Sequence, residues 1–421
     1  MTWFDLTLEA RDGSRHVVRY NPHTSECEGL SLPFSPGKFV AVPRVAKDRP
    51  LGKSRAPRIL KIQLGLSCNY ACAYCNQAVQ IGDATVSKLA DVEAFLAGLN
   101  GWIEGAPERI ELWGGEPFLY WAKIKRLVPA LAARFPTAAF SIITNGSLLD
   151  REKIDFIAQY DIAVGISHDG PGQYLRGPDP LDDPGKRRWI VALLAERPDK
   201  TGFNALLTRQ HHDLRALKAW FAEEVGPDIF VGLEGVVNVY DAATALGTGR
   251  FEPAELNSLT RSIFEALVED PNAFGLGERI NEFYSSIQRR RPIEALGQKC
   301  GMDSPDAIAV DLRGNVMTCQ NTGAKGGHKI GHVAEFDAIA LDTATHFAFR
   351  EECMSCPVVQ LCKGSCMFLE GEFFKQSCAN EFAFNFGVMM AAVWHLTGMV
   401  VVGVSKSIKI SNPPQTLSAE C

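Results

Sequence analysis

The chain has 421 residues, enough for two or three domains with substantial cores. An apolar fraction of 46% excludes a chain too polar to fold. A formal net charge of −6 leaves no basic footprint for a nucleic-acid partner.

The N-terminus, Met1-Thr2-Trp3-Phe4-Asp5, lacks a basic region followed by an apolar core, so no signal peptide is expected. Residues 1–55 read as a small N-terminal β element. Alternation in Thr2–Leu8 and His16–Tyr20, around Arg11-Asp12-Gly13, predicts a hairpin. Lys47–Arg58 is a basic, proline-containing linker. Strand-like runs then start at Ile59–Leu66 and recur at the residues before Gly114, at Phe140–Thr144, Ile162–Ser167, Gly202–Leu207 and Ile229–Val237. Helical patterns lie between them at Val86–Leu99, Ala122–Arg134, Glu152–Gln159, Lys186–Ala195 and Asp213–Glu224. Strands and helices in strict alternation imply parallel strands with right-handed crossovers. The expected fold class is α/β, a partial (β/α)6 TIM-like barrel over 56–250. Functional loops of such barrels sit at the C-terminal ends of the strands.

Beyond the barrel, 251–294 reads as a helical bridge, 295–385 as a cysteine-rich domain, and 386–421 as a C-terminal helix and tail. Gly387–Val404 is almost wholly apolar. His395, Thr397 and Gly398 interrupt it, so a buried helix over Asn380–Leu396 and a strand over Met399–Val404 are expected. A membrane span is the alternative.

Ten of the twelve cysteines fall into two groups. Cys68, Cys72 and Cys75 have the spacing C-x3-C-x2-C and directly follow the first strand run. Three thiolates can hold three irons of a cubane, which leaves the fourth iron open to a small molecule. A structural zinc site wants four ligands, and no fourth Cys or His lies close by. The second run ends in Gly114-Gly115-Glu116-Pro117, the third in Thr144-Asn145-Gly146, and the fourth in Ser167-His168-Asp169-Gly170-Pro171. Each motif begins where a strand run ends, so all would face one mouth.

These motifs resemble those of the radical S-adenosylmethionine (radical SAM) superfamily. The resemblance implies a [4Fe–4S] cluster on Cys68, Cys72 and Cys75 whose open iron chelates S-adenosylmethionine. Reductive cleavage then gives methionine and a 5′-deoxyadenosyl radical that abstracts hydrogen from an unactivated C–H bond. It also implies that Tyr74 packs near the adenine and that Gly114, Gly115, Glu116 and Pro117 grip the methionine ammonium. Thr144, Asn145 and Ser167 would contact ribose and carboxylate. Arg176 is the nearest cation for that carboxylate, with Arg187 or Arg188 as alternatives.

The second group is Cys300, Cys319, Cys353, Cys356, Cys362, Cys366 and Cys378. Its spacing is similar to the SPASM extension of radical SAM enzymes, which holds two auxiliary clusters and would complete a total of three [4Fe–4S] clusters. The resemblance assigns Cys300, Cys319 and Cys366 to one cluster and Cys353, Cys356, Cys362 and Cys378 to the other. Seven cysteines leave one iron without a thiolate. Cys27 and Cys421 read as free thiols. A pair of zinc knuckles is the bland alternative. Clusters and reduced thiols make the cytoplasm the expected compartment.

SPASM enzymes mostly act on peptides or proteins. The resemblance therefore implies a maturase of a ribosomally made peptide that leaves a cross-link, an oxidation or an epimerised centre. The expected partners are a peptide or protein substrate with or without a leader region and an electron donor such as flavodoxin or ferredoxin, with no nucleic acid and no membrane. Anaerobic sulfatase maturases usually carry an aspartate just after the second SPASM cysteine, where this chain has Gln320, which cannot accept a proton. Candidate acid/base residues are Asp241, Tyr240 and His328, with Glu234 and His332 behind them. Rival readings are a small-molecule radical SAM dehydrogenase and a pure electron carrier. A carrier would cap all its irons.

Overall fold

The computed structural model describes residues 3–30, 33–77, 87–325, 327–343 and 345–405. Strands β1 (Phe4–Glu9), β2 (Arg15–Asn21) and β3 (Glu26–Glu28) form the N-terminal element. The β1–β2 hairpin pairs Phe4 with Tyr20 through Glu9 with Arg15, as the alternation around Asp12-Gly13 predicts; Thr2 lies outside the described residues.

The α/β body then runs β4 (Ile59–Gln63), α1 (Leu89–Gly98), β5 (Arg109–Trp113), α2 (Trp121–Arg134), β6 (Ala139–Thr144), α3 (Arg151–Gln159), β7 (Ala163–Ser167), α4 (Pro184–Glu196), β8 (Thr201–Leu207), α5 (Leu214–Glu224) and β9 (Val231–Val236). All neighbouring strands from β4 to β9 pair in parallel, the partial barrel the alternation implies. Val86, where the first helix was expected to start, lies outside the described residues. Asp150, Asp183 and Asp213 cap α3, α4 and α5 by accepting backbone N–H groups of their first turns, which satisfies donors that have no intrahelical partner.

One face of each strand is apolar. Leu60, Ile62, Ile110, Leu112, Ile142, Val164, Ile166 and Phe203 are fully buried against Leu127, Ile154, Ile190 and Phe221 of the helices. At about 1.5–3 kcal/mol for each large side chain removed from water, this layer holds the barrel. The opposite face is polar: Lys61 of β4 pairs with Glu111 of β5 at 2.9 Å, and the Trp113 indole donates to the same carboxylate at 2.9 Å.

After β9, α6 (Pro253–Glu269) and α7 (Gly277–Arg289) form the helical bridge. The cysteine-rich part opens with β10 (Ala307–Asp311), β11 (Asn315–Met317) and β12 (Lys329–His332). These strands do not form a sheet of their own. β10 pairs in parallel with β4, which gives one nine-stranded sheet in the order β12-β11-β10-β4-β5-β6-β7-β8-β9.

Helix α8 (Gly371–Thr397) is a single 27-residue element. The expected start at Asn380 and the boundary between 385 and 386 both fall inside it. Cys378 is therefore a helical residue and does not precede the helix. Strand β13 (Val400–Val404) pairs with β1, so the chain end closes on the N-terminal sheet; residues 406–421 lie outside the described residues. Among the described residues no helix is long and apolar enough to cross a membrane. The α8 segment is polar where it meets the barrel: the Asn380 amide donates to Val237 O at 3.2 Å and Gly249 O at 2.7 Å.

Candidate functional site

The β4–α1 loop carries Cys68, Cys72 and Cys75, all half-buried. A tight turn brings Cys75 N–H to Cys72 O at 3.1 Å, and Ala73 N–H reaches Leu175 O at 2.7 Å. Burial pushes the Cys72 thiol up to about 12, against the lowering effect of the Arg176 guanidinium. Burial raises Cys68 and Cys75 as well. Cys68 feels Cys75, and Cys72 feels both. Buried, mutually repelling thiolates are costly alone, and a cation between them removes the cost.

The next motif is fastened to this loop through its backbone. Gly115 N–H bonds Gly65 O at 3.1 Å and Glu116 N–H bonds Ser67 O at 3.0 Å, while Ser67 N–H donates to the Tyr120 hydroxyl at 2.7 Å. A Cβ on Gly115 would collide with the Leu66 and Ser67 carbonyls, and one on Gly114 would stand 2.8 Å from Gly65 O. Glycine is required here by close backbone approach.

Glu116, only 1% exposed, turns its carboxylate inward. It accepts from Phe118 N–H at 3.0 Å, Thr144 Oγ1 at 2.7 Å and Asn145 N–H at 2.8 Å. Burial raises its pKa and these three donors oppose the rise. Glu116 and Thr144 thus bind the second and third motifs to each other, and Pro117 opens the short helical turn behind them. Asn145 ties the third motif to the first: its Nδ2 donates to Asn69 Oδ1 at 2.9 Å, and Asn69 in turn donates to Ser147 Oγ at 2.8 Å.

Asp169 is the hub that sequence reasoning missed, although it stands inside the quoted Ser-His-Asp-Gly-Pro turn. It is 2% exposed. Its carboxylate accepts from the Tyr74 hydroxyl, from Arg176 Nη2 at 2.9 Å and from Leu206 N–H at 2.9 Å. The Arg176 guanidinium also lies 5.4 Å from the Tyr74 ring centroid. His168 Nδ1 accepts from Gly170 N–H, so its Nε2 proton goes to Asp179 at 3.0 Å and locks the turn. Ser167 stands half-buried at the end of β7. Arg187 pairs with Glu224, and Arg188 is exposed over Trp189. Of the three candidate arginines, Arg176 is the one beside the cysteine loop.

Two buried donors here have no acceptor among the described residues: Arg176 Nε and Gln173 Nε2. A cavity of about 190 Å³ opens beside Asp169, lined by Leu206, Leu217 and His211 among others. Three convergent thiols, a buried cation with a spare donor and a glycine cradle fit an iron–sulfur cube with a zwitterionic ligand. Among the described residues no three His, Cys, Asp or Glu side chains converge as ligands of one ion would. The ligands of a cube stand at separate corners, each on its own iron.

The second cysteine group divides in space. Cys353, Cys356, Cys362 and Cys378 line one apolar cavity together with Val358, Val359, Phe374 and Phe382. Burial pushes Cys353 and Cys378 up to about 12 and Cys362 to about 11. Cys366 is absent from that lining and instead influences Cys300, which is exposed, and Cys319, which burial raises to about 12. Between the sets, buried Arg350 donates to the carbonyls of Gly364, Cys366 and Leu369. The Cys319 loop is bolted to the barrel by Gln63, whose Nε2 donates to Gln320 O at 2.9 Å and Thr322 O at 2.8 Å.

The acid/base candidates separate clearly. Asp241 caps the turn that follows it, accepting from Thr244 N–H at 2.7 Å. His332 Nδ1 accepts from Ala334 N–H and Glu234 is exposed. His328 contacts Thr318 Oγ1 at 3.0 Å and packs against Phe368. Tyr240 packs at the apolar cluster that Cys353, Cys366 and Cys378 also border, and burial raises its pKa.

Residues 62–198 match the radical SAM superfamily. That family implies S-adenosylmethionine and a [4Fe–4S] cluster. The chain is 27% identical to the radical SAM cyclopropyl synthase TigE of Paramaledivibacter caminithermalis across 37% of this chain and 37% of that protein. It is 34% identical to an S-adenosylmethionine-dependent nucleotide dehydratase of Psychrobacter lutiphocae across 24% of this chain and 37% of that protein. The match therefore spans little more than a third of either curated relative. The structure of native anSMEcpe with bound AdoMet and Cp18Cys peptide superposes on 80% of this chain and 99% of its own, with a TM-score of 0.58 and 18% identity. The shared fold includes the barrel and the domain after it.

Proposed function

We propose that this chain is a radical SAM enzyme that modifies a peptide, with Cys68, Cys72 and Cys75 as ligands of its S-adenosylmethionine-binding cluster. The carrying observation is that the cysteine loop, the Gly-Gly-Glu-Pro turn, the Thr-Asn-Gly turn and Asp169 are hydrogen-bonded into one unit at the C-terminal ends of parallel strands. The bound cofactors supply an electron and a 5′-deoxyadenosyl radical for hydrogen abstraction. The chain's own residues do the holding. Arg176, neutralised on one side by Asp169, offers its spare Nε–H to a carboxylate. The peptide carbonyls around Gly114 and Gly115 accept from an ammonium. Glu116, Thr144 and Asn145 keep these turns in register without spending their own polar atoms on the ligand.

Two auxiliary clusters, on Cys300, Cys319 and Cys366 and on Cys353, Cys356, Cys362 and Cys378, fit the spatial division of the second group. The peptide as substrate class is supported by the fold shared with anSMEcpe, whose structure contains a bound peptide. A flavodoxin or ferredoxin would deliver the electron. A second reading, a nucleotide or other small-molecule substrate, is favoured by the match to the nucleotide dehydratase.

The test is anaerobic. Reconstituted protein with S-adenosylmethionine and dithionite should release 5′-deoxyadenosine, and a short peptide encoded beside the gene should change mass when co-expressed. Reducible clusters without any deoxyadenosine would sink the enzyme reading. Release stimulated by nucleotides and not by the peptide would favour the second reading.

A further inference from the structure

Helix α8 carries a buried carboxylate that none of the motifs uses. Glu381 is 1% exposed. Lys299 Nζ donates to its Oε1 at 2.6 Å. Asn385 Nδ2, one turn further along the helix, donates to its Oε2 at 3.1 Å. Lys299 immediately precedes Cys300, and its ammonium crosses the end of β9, where a Cβ on Gly235 would stand 3.6 Å from Nζ. One ion pair thus ties the Cys300 loop to the middle of α8.

The pair stands beside the four-cysteine cavity. Cys378 and Glu381 are three residues apart within α8, so their side chains share one face of the helix about a turn apart. Phe382, the next residue, lines the cavity with Cys353, Cys356, Cys362 and Cys378. Burial is the main cause of the raised Cys362 thiol; Glu381 adds to the rise and Lys299 opposes it. A buried pair adds little net stability over apolar side chains of the same volume, so stability alone does not account for it. Its charges act on any charged centre held nearby.

We infer that the Lys299–Glu381 pair sets the reduction potential of the centre on Cys353, Cys356, Cys362 and Cys378, the carboxylate holding it down and the ammonium cancelling part of that effect. This rests on the proposed reading that those four cysteines hold an iron–sulfur cluster. Net charge around a cluster is one of the determinants of its potential. Because Lys299 belongs to the Cys300 loop, a displacement of that loop withdraws the ammonium, uncovers the carboxylate and makes the four-cysteine centre harder to reduce.

The experiment is redox titration of the fully reconstituted enzyme, followed by electron paramagnetic resonance. The signal that Cys356→Ala removes identifies the four-cysteine centre. Glu381→Gln should move that signal to a more positive potential, and Lys299→Met should move it to a more negative one. Each shift should be on the order of tenfold in the ratio of reduced to oxidised centre, which is about 59 mV for one electron. The double variant Lys299→Met/Glu381→Gln should return close to the wild-type value, since a neutral pair replaces an ion pair with little loss of stability. A purely structural pair would give no such reversal of sign. An unchanged potential in Glu381→Gln at full iron content, or shifts of one sign in both single variants, would overturn the inference alone. If Cys356→Ala removed no signal, the reading beneath it would fall as well.

Discussion

Removing the Asp169 carboxylate should cost this fold several kcal/mol, because three partners lose their acceptor at once. The Arg176 side chain is 10% exposed and that of Asp169 is 1% exposed. An uncompensated charge at such a depth costs about 3–5 kcal/mol when its partner is deleted. Tyr74, 8% exposed, and Leu206 N–H also lose their bonds. The penalties overlap, since the freed groups can shift toward one another, so Asp169→Ala is expected to cost about 4 kcal/mol and not the sum. Asp169→Asn keeps the shape and one acceptor oxygen and should cost about half as much; Tyr74→Phe, which removes one bond to a charged group, should cost about 1.5 kcal/mol. Urea denaturation of the apoprotein under argon measures all three, and the double variant Tyr74→Phe/Asp169→Asn measures their coupling. Loss of less than about 1 kcal/mol in Asp169→Ala would mean that the pair is solvated and that Asp169 does not organise the loop.

Cys72→Ala should abolish deoxyadenosine release and remove the signal that responds to S-adenosylmethionine, while most of the iron stays; retained turnover would contradict the ligand assignment. Gly115→Ala should weaken S-adenosylmethionine binding more than tenfold in equilibrium dialysis, because its methyl would displace the Leu66 and Ser67 carbonyls; unchanged affinity would show that the cradle is not the ammonium site. Gln63→Leu should destabilise the apoprotein by about 1–3 kcal/mol by orphaning two carbonyls of the Cys319 loop, and proteolysis around 320 should quicken. The buried thiols give a signed pH dependence. Their folded pKa values of about 12 for Cys319, Cys353 and Cys378 lie above the ordinary thiol value of about 8.5. The protonated form is favoured by folding, so this stability is complete below the ordinary value and is lost as pH rises toward the folded ones. Apoprotein denaturation midpoints should therefore fall from about pH 9 upward, and metal-loaded protein should not follow, since its thiolates are already deprotonated.

What could be read in the sequence is what local spacing and period encode. Two cysteines three or four residues apart must share a turn, so the loop holding Cys68, Cys72 and Cys75 was legible. An apolar run followed by a helical pattern must cross over on the same hand, so the parallel order β4 to β9 was legible too. The pairing of β10 with β4 was not, because it joins residues nearly 250 positions apart and each strand alone reads as a short apolar run. The helix α8 was shortened in the reading because Gly371–Gln376 mixes glycine, charge and aromatics; in the structure that stretch is the first turns of the helix, stabilised by Arg350 over Phe374. Side-chain direction was the other blind spot. A glutamate in a Gly-Gly-Glu-Pro motif looks free to meet a ligand, yet burial of its carboxylate forces it onto whatever donors are near, and Thr144 and Asn145 supply them.

That inward turn of Glu116 has a consequence for how specificity can arise. Glu116, Thr144 and Asn145 are tied up in bonds between the motifs, which leaves few side chains at the barrel mouth to choose a substrate. The polar residues not so committed lie on the face shared with the second cysteine group: Lys61 and Glu111 on adjacent strands, and Gln320 on the loop that Gln63 holds. On the proposed function, choice of substrate is expected to rest on the seam between β4 and β10, where the barrel and the cysteine-rich domain are one sheet. Exchanging Gln320 for Asp should alter which substrate stimulates deoxyadenosine release and leave affinity for S-adenosylmethionine unchanged, and a change in cofactor affinity alone would place specificity elsewhere.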